Sequence, residues 1–387
     1  MRDSRALAGV LGVLLATGWA ANHFSATIPV LTGREGLSVT LIDAVFGLYA
    51  VGLVPGLFLG GGLSDRWGRP AVVLPGALLA ACGTVVLLTW HEPAGLLLGR
   101  FVVGLGAGLT TGAGTAWAGD LGGTRGTVLA GVFLTAGFGF GPLTSGVVAQ
   151  FLPLPLVLPF GLSLVLSLAA VAAAVRWSVP VTPRPVRRTA DSPAPPPVEA
   201  HRGVGVTLAW SVPVAIVVFA SATVVLVTLT PRLPGDLDGP LLMGVSAILS
   251  LGSGIAVQTL ARRRGFGPRA GVVGLLFSAL GFALLAAGGS TVGLPLFVTA
   301  CVVMGAAYGL CLREGLLDVE SLAPPARRGV LTGFFYVVTY VGFGLPLLLT
   351  VLTPSVGVLW PPVVLSGVAL ALAALRTTQL AAGHPAR

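Results

Sequence analysis

The chain has 387 residues, 55% of them hydrophobic and 9% charged, with a mean hydropathy of +0.96. A soluble domain carries about 25% charged residues, so a water-soluble fold is excluded and the bilayer becomes the solvent. The net charge is +9 and every basic residue is arginine; such a balance could serve nucleic acid, but the arginine positions below account for it without one.

The chain opens Met-Arg-Asp-Ser-Arg and turns apolar at Ala6. No small-residue cleavage site follows, so this segment reads as a retained first span and not as a signal peptide. Apolar stretches long enough for a hydrocarbon core about 30 Å thick run over 6–31, 41–63, 70–90, 94–119, 127–150, 153–175, 205–230, 240–261, 268–289, 292–319, 329–352 and 356–376. Glycine (56) and proline (29) are abundant. A helical membrane bundle tolerates both, because small residues let helices approach closely and neighbours re-satisfy broken backbone bonds.

Residues 176–204 differ in composition: Arg184, Arg187 and Arg188 precede Pro195-Pro196-Pro197. This polar, proline-rich stretch reads as a linker without fixed structure. It divides the chain into a six-span bundle over 1–175 and a second over 205–387. The expected fold is therefore all-α and integral to the membrane, twelve helices in two pseudo-symmetric bundles.

Orientation follows from the loop arginines. With a cytoplasmic N-terminus, Arg2, Arg5, Arg66, Arg69, Arg125, Arg176, Arg184, Arg187, Arg188, Arg202, Arg262, Arg263, Arg264, Arg269, Arg327, Arg328, Arg376 and Arg387 all face the cytoplasm. Only Arg34 and Arg232 lie outside, and Arg100 and Arg313 stay within spans. The basic excess is thus a matter of topology, which places the protein in the cytoplasmic membrane with both termini inside.

The halves repeat. Asp120-Leu121, Arg125-Gly126, Gly131 and Gly141-Pro142 follow span four; Glu320-Ser321-Leu322, Arg328-Gly329, Gly333 and Gly344-Leu345-Pro346 follow span ten in the same order. Repeats of this kind mark many secondary transporters, with a solute site between the halves near the midplane.

Between spans two and three the chain reads Gly61-Gly62-Leu63-Ser64-Asp65-Arg66-Trp67-Gly68-Arg69-Pro70. This resembles the signature loop of the major facilitator superfamily, glycine, three residues, then Asp-Arg-x-Gly-Arg. As a gate, Gly61 would permit close helix contact and Gly68 an unusual turn. Asp65 would sit at a helix N-terminus of the other half, and Arg66 and Arg69 would pair with acids such as Asp120, contacts made in the outward-facing state and broken in the other. The counterpart in the second half, Ala261-Arg262-Arg263-Arg264-Gly265, lacks the acid. Alternatively, the first loop is a plain positive-inside loop.

Two further motifs carry the resemblance. Gly99-Arg100-Phe101-Val102-Val103-Gly104 is similar to the family's span-four motif, whose arginine is associated with proton coupling; Val103 replaces the polar residue often found there. The structural alternative is an Arg100 that snorkels outward. Gly137-Phe138-Gly139-Phe140-Gly141-Pro142-Leu143-Thr144-Ser145-Gly146 resembles the antiporter motif of drug and metabolite exporters, with Ser145 in place of one glycine.

Polar residues within spans complete the candidate set, since each is costly in lipid. His23 carries the side chain best suited to change charge near neutral pH, or is a neutral histidine bonded within the bundle. Glu314 and Asp318 share a helix face and could exchange protons, or form a salt-bridge gate with Arg262, Arg263, Arg327 or Arg328, while Arg313 points elsewhere. Asp43 is a further proton candidate or a helix-start acid. Asn22 binds substrate or pairs across helices. Trp19, Asn22, Phe24, Tyr49, Phe133, Tyr336 and Tyr340 are the candidate cavity lining. Cys82, Cys301 and Cys311 read as buried small residues without metal spacing.

No phosphate-binding Gly loop, metal cluster or catalytic triad stands out, so neither an enzyme nor a cofactor is expected. The resemblance implies a monomer that moves a small molecule by alternating access, with protons as the second partner. The expected direction is efflux of drug-like or secondary-metabolite compounds, as in multidrug exporters. Import of a sugar or organic acid, and a transporter-like sensor that moves nothing, are the alternatives.

Overall fold

The computed structural model describes residues 2–177, 203–235, 239–324 and 327–383. Most of the linker expected at 176–204, with Arg184, Arg187, Arg188 and Arg202, lies outside the described residues, as does Arg387.

All regular structure among the described residues is helical, as lipid requires, because a helix satisfies its backbone bonds within one segment. Helix α1 (Arg2–Asn22) passes through a 3-10 turn (His23–Thr27) into α2 (Ile28–Gly33). Then follow α3 (Val39–Trp67), α4 (Pro70–Thr89), α5 (Pro93–Phe151) and α6 (Leu158–Trp177). In the second half α7 (Val204–Thr223) continues through a π-helical segment (Val224–Leu229) and a 3-10 turn (Thr230–Arg232). After it come α8 (Pro240–Arg264), α9 (Arg269–Gly288), α10 (Leu294–Leu322), α11 (Arg328–Tyr340), a 3-10 turn (Val341–Gly344), α12 (Leu345–Val356) and α13 (Trp360–Ala381).

Helix ends explain much of the proline and glycine. Pro70, Pro93, Pro240, Pro295, Pro346 and Pro361 occupy the first or second helical position, where no backbone donor is lost. Gly68, Gly265, Gly289 and Gly357 end helices with positive φ. Ser38 caps α3 by accepting from the Leu41 N–H at 3.3 Å.

Helix α5 has 59 residues, about 88 Å at the helical rise, far more than a bilayer crossing. It breaks at Gly123 (φ 58°, ψ −146°), and a Cβ on Gly126 would lie 2.0 Å from the Ala118 carbonyl oxygen. The chain doubles back there, so the 11 long apolar helical stretches among the described residues carry twelve crossings. The sequence places a loop at this point; the structure holds it to a single non-helical residue.

Other limits move slightly. The sixth span begins at Leu158 and the last at Trp360, because Leu152–Val157 and the turn at Gly357 are needed to reverse the chain. The eleventh span is interrupted by the Val341–Gly344 turn.

In the first half α1, α3 and α4 pack on α5, and α6 covers α1 and α4. In the second half α10 sits against α7, α8 and α9, with α13 outside on α9. Across the halves α5 meets α8, and α3 meets α12 and the 3-10 turn before it. The outside is apolar: Val165, Val364 and Phe151 are at least 60% exposed, as suits lipid contact. Exposed Trp67 and Trp177 sit at the arginine-rich face, and Trp90 and Trp360 at the opposite face, the depth that tryptophan favours. Cys82 is exposed on this apolar surface, contrary to the burial expected of it, whereas Cys301 and Cys311 are buried.

Candidate functional site

At the arginine-rich face, α3 ends at Gly68 with φ 91° and ψ 153°, a backbone that a Cβ would strain. The turn aims Arg69 back at its own half. Its guanidinium donates to Asp65 Oδ1 at 2.6 Å, Ser64 Oγ at 2.7 Å and Asp120 Oδ2 at 3.2 Å. Asp65 is thus paired within its own half, and its side chain is 71% exposed. Arg66 is exposed and does not share the Asp120 pairing expected of it. The close approach expected at Gly61 occurs one residue earlier: nothing lies within 4 Å of a Cβ at Gly61, whereas one at Gly60 would be 2.9 Å from the Leu109 carbonyl oxygen. Arg262, Arg263 and Arg264 are exposed at the end of α8.

Deeper in the first half, Arg100 is 0% exposed, which rules out snorkelling here. It donates to the carbonyls of Ala21 at 2.9 Å and Phe46 at 3.4 Å. Its guanidinium carbon lies 4.7 to 5.8 Å from the ring centres of Tyr49, Phe24 and Phe46. Carbonyl oxygens and ring faces thus supply the negative potential that lipid cannot, and Nε is left unbonded. Two residues beyond Ala21, His23 is fully buried and its Nδ1 donates to the Trp19 and Ala20 carbonyls at 3.1 and 3.2 Å. That pattern fixes the tautomer by its partners and leaves Nε2 buried without one. Asn22 donates to the Phe138 carbonyl at 2.9 Å, joining α1 to α5. Trp19 is half-buried with Nε1 unbonded.

An aromatic seam joins the halves. Phe46 stacks on Phe343 with ring centres 5.2 Å apart, and Tyr49 lies 5.6 Å from the same ring. On the far side Phe219 stacks on Tyr340 at 4.6 Å and meets Tyr308 at 5.8 Å. Of the expected cavity residues, Phe24 and Tyr49 are instead enclosed around Arg100, and Phe133 packs into the core of the first half. Tyr340 is buried in the seam, and Tyr336 is half-buried beside Phe335. Phe219, Phe343 and Tyr308 carried no motif and were not singled out from the sequence.

The Gly-Pro segment of α5 divides its contacts. A Cβ at Gly137 would lie 2.1 Å from the Leu15 carbonyl oxygen, and one at Gly141 3.0 Å from that of Trp19, so both pack on α1. Gly146 faces the other half: its Cβ would lie 2.4 Å from the Pro240 carbonyl oxygen. Reciprocally, a Cβ at Gly244 would meet Leu143 Cα at 2.5 Å and the Pro142 oxygen at 2.7 Å. The backbones of α5 and α8 thus touch near the face opposite the arginines. At that face Asp43, 3% exposed, accepts a hydrogen bond from Thr350 Oγ1 of α12 at 2.5 Å.

The second half holds a buried charge cluster. Asp318 Oδ2 pairs with an Arg376 terminal nitrogen at 2.5 Å, both side chains being 0% exposed. Arg376 also donates to the Trp210 carbonyl at 2.6 Å and lies 4.5 Å from the centre of the Trp210 ring. Glu314, equally buried, is ion-paired with Arg313. A Cβ at Gly271 would lie 3.5 Å from both Glu314 Cβ and Arg376 Nε, so the four charges are neighbours. The expected partners of the two acids were loop arginines; the observed partners are Arg313, whose long stem turns back, and Arg376, which is an interior residue and not a loop one. From the sequence, Arg376 at a span end looked like part of the positive-inside excess.

Comparison with known proteins follows the same outline. The family model of the Major Facilitator Superfamily matches residues 9–346. Multidrug resistance protein MdtL of Klebsiella pneumoniae (strain 342) is 28% identical over 81 residues, 21% of each chain. MdtL of Escherichia coli O45:K1 (strain S88 / ExPEC) is 32% identical over 81 residues, again 21% of each. The matched segment thus spans about a fifth of these relatives. Among solved structures, the POT family transporter PepTSo superposes with a TM-score of 0.76 at 14% identity, over 98% of both chains. The peptide transporter POT in complex with sulfate superposes with 0.75 at 17% identity, over 97% of this chain and 94% of that one. At such identities the likeness is one of fold.

Proposed function

This chain belongs to the Major Facilitator Superfamily, and on that premise we propose that it exports a small drug-like or secondary-metabolite compound in exchange for protons. The observation that carries the reading is the Gly137–Gly146 segment of α5. Its resemblance to the antiporter motif is joined by a backbone contact with α8 that Gly146 and Gly244 make possible. A seal of that kind prevents solute leak while the other face is open. The local similarity to MdtL supports the same direction.

In this reading the arginine-rich face is cytoplasmic, as the positive-inside rule asks, and the protein is a multi-pass protein of the cytoplasmic membrane. Residues 1–175 and 205–387 move as two bodies, joined by 176–204. On this proposal the conformation is inward-facing, a reading supported by the backbone contact at Gly146 and the aromatic seam on the other side. Asp65, Arg69 and Asp120 hold together within the first half, ready to re-pair when that face closes. Arg100 and His23 in one half, and Glu314 and Asp318 in the other, are the groups proposed to couple proton movement. The substrate meets Trp19, Tyr336 and the aromatic seam. The activity is transport by a monomer; no catalytic group and no cofactor are assigned.

The test is reconstitution into liposomes loaded with a pH-sensitive dye under an inward-directed proton gradient. Lipophilic antibiotics and cationic dyes are screened, with Asp65→Asn as control. Substrate-dependent proton flux that needs Asp65, with solute moving against the proton, supports antiport. Co-directional movement makes the protein an importer, and nutrient equilibration without proton flux makes it a facilitator.

A further inference from the structure

Few polar side chains reach between the halves. Among the described residues each ion pair joins residues of a single half, and one side-chain to side-chain hydrogen bond crosses, from Thr350 to Asp43, 307 positions apart. Asp43 lies four residues inside the start of α3, and Thr350 six residues before the end of α12. Both are therefore about 6–9 Å from the outer helix ends, on the side sealed by the aromatic seam and by Gly146. Asp43 is almost wholly buried, and no arginine or histidine nitrogen lies within 4.0 Å of it among the described residues. Helix α12 and the Val341–Gly344 turn, which pack against this end of α3, contain no ionisable residue. The carboxyl group's polar contact is the hydroxyl of the opposite half.

A buried acid without a cation is expensive in a membrane bundle, so its one hydrogen bond carries weight. We infer that Asp43 and Thr350 form a latch on the outer gate, a carboxyl and hydroxyl clasp that holds the two halves together on the outside. The latch breaks each time the transporter opens outward, and it sets the balance between the two states. A contact present in one state and lost in the other is what shifts a two-state equilibrium. Hydrogen bonds to charged groups are among the stronger ones in proteins, so loss of this one should raise the outward-open fraction relative to the inward by roughly ten- to a hundredfold. The inference rests on the alternating-access part of the proposed function and is independent of substrate, direction and proton coupling.

The experiment measures conformation and not flux, so it stands even if the efflux reading fails. Spin labels are placed on the full-length protein in lipid nanodiscs at Thr40→Cys and Ser355→Cys, exposed positions at the outer ends of α3 and α12. Exposed Cys82 is changed to Ser; Cys301 and Cys311 are buried. Pulsed electron resonance then gives the outer distance distribution. Thr350→Val, which leaves the buried carboxyl without its partner, should shift it to the longer distance, and the double variant with Asp43→Ala, which removes the acid as well, should shift it less. Asp43→Asn and Thr350→Ser, which keep an acceptor and a donor, should restore the short distance and also show that the fold is intact. An unchanged distribution in Thr350→Val, or a double variant shifted as far as Thr350→Val or further, overturns the latch.

Discussion

Asp318→Ala removes one acid from the buried cluster of the second half and breaks its ion pair with Arg376, which packs against the Trp210 carbonyl and ring. Both side chains are 0% exposed, so water cannot take the place of the lost partner. Removing one member of a buried ion pair costs about 3–5 kcal/mol. For a unit of about 150–250 residues, the size of one bundle, each kcal/mol moves Tm by about 2–4 °C. The expected fall is therefore roughly 6–20 °C. The pair itself should be dispensable: Asp318→Leu combined with Arg376→Met removes both charges and is expected to unfold within about 3 °C of the parent. Buried Cys301 and Cys311 supply the assay, because a thiol-reactive fluorogenic dye reports their exposure on heating in detergent once Cys82 is replaced by Ser. A single variant within about 2 °C of the parent, or a double variant as unstable as the single one, refutes the account of these charges as a mutually dependent buried pair.

Three further outcomes are expected. Gly146→Val forces a side chain into the Pro240 carbonyl, 2.4 Å from where a Cβ would sit; outer-face thiol labelling should rise and coupling fall, while Gly112→Ala, with open space around it, is silent in both. Arg69→Ala should abolish most substrate-driven flux in liposomes, and Arg66→Ala should not, because Arg69 alone ties Asp65 to Asp120. Since those pairs are exposed, neither change should alter stability by more than about 1 kcal/mol. Arg100→Lys keeps the charge but not the planar fork that spans two carbonyls and three rings; a flux at least about tenfold lower, the equivalent of one such bond, with normal membrane insertion is the expected result.

The parts of the site that the sequence made legible are those where a local motif dictates a local shape. The Gly68 turn falls in this group, as do the close-packing glycines of α5. Glu314 and Asp318 were recognisable as costly interior acids, yet their partners were misassigned, since Arg376 at a span end looks the same whether it faces the cytoplasm or turns inward. Thr350 gave no signal at all: in a run of leucines a threonine bonded to its own backbone and one bonded to Asp43 read alike. Phe343 and Phe219 were equally silent, because an aromatic residue in a span is as often an anchor or filler.

What the amino-acid sequence determined by itself was the solvent and the secondary structure. Lipid admits only long apolar helices here, so composition and the length of each apolar stretch suffice. The tertiary structure decided the rest: which way each helix is turned about its axis, and hence whether a polar side chain meets lipid, a neighbour or the opposite half. In a bilayer nearly every helix face is apolar, so the sequence pattern that marks an inward face in water is absent. Rotation is then settled by packing and by rare polar partners far apart in the chain, such as Asp43 with Thr350 and Asp318 with Arg376.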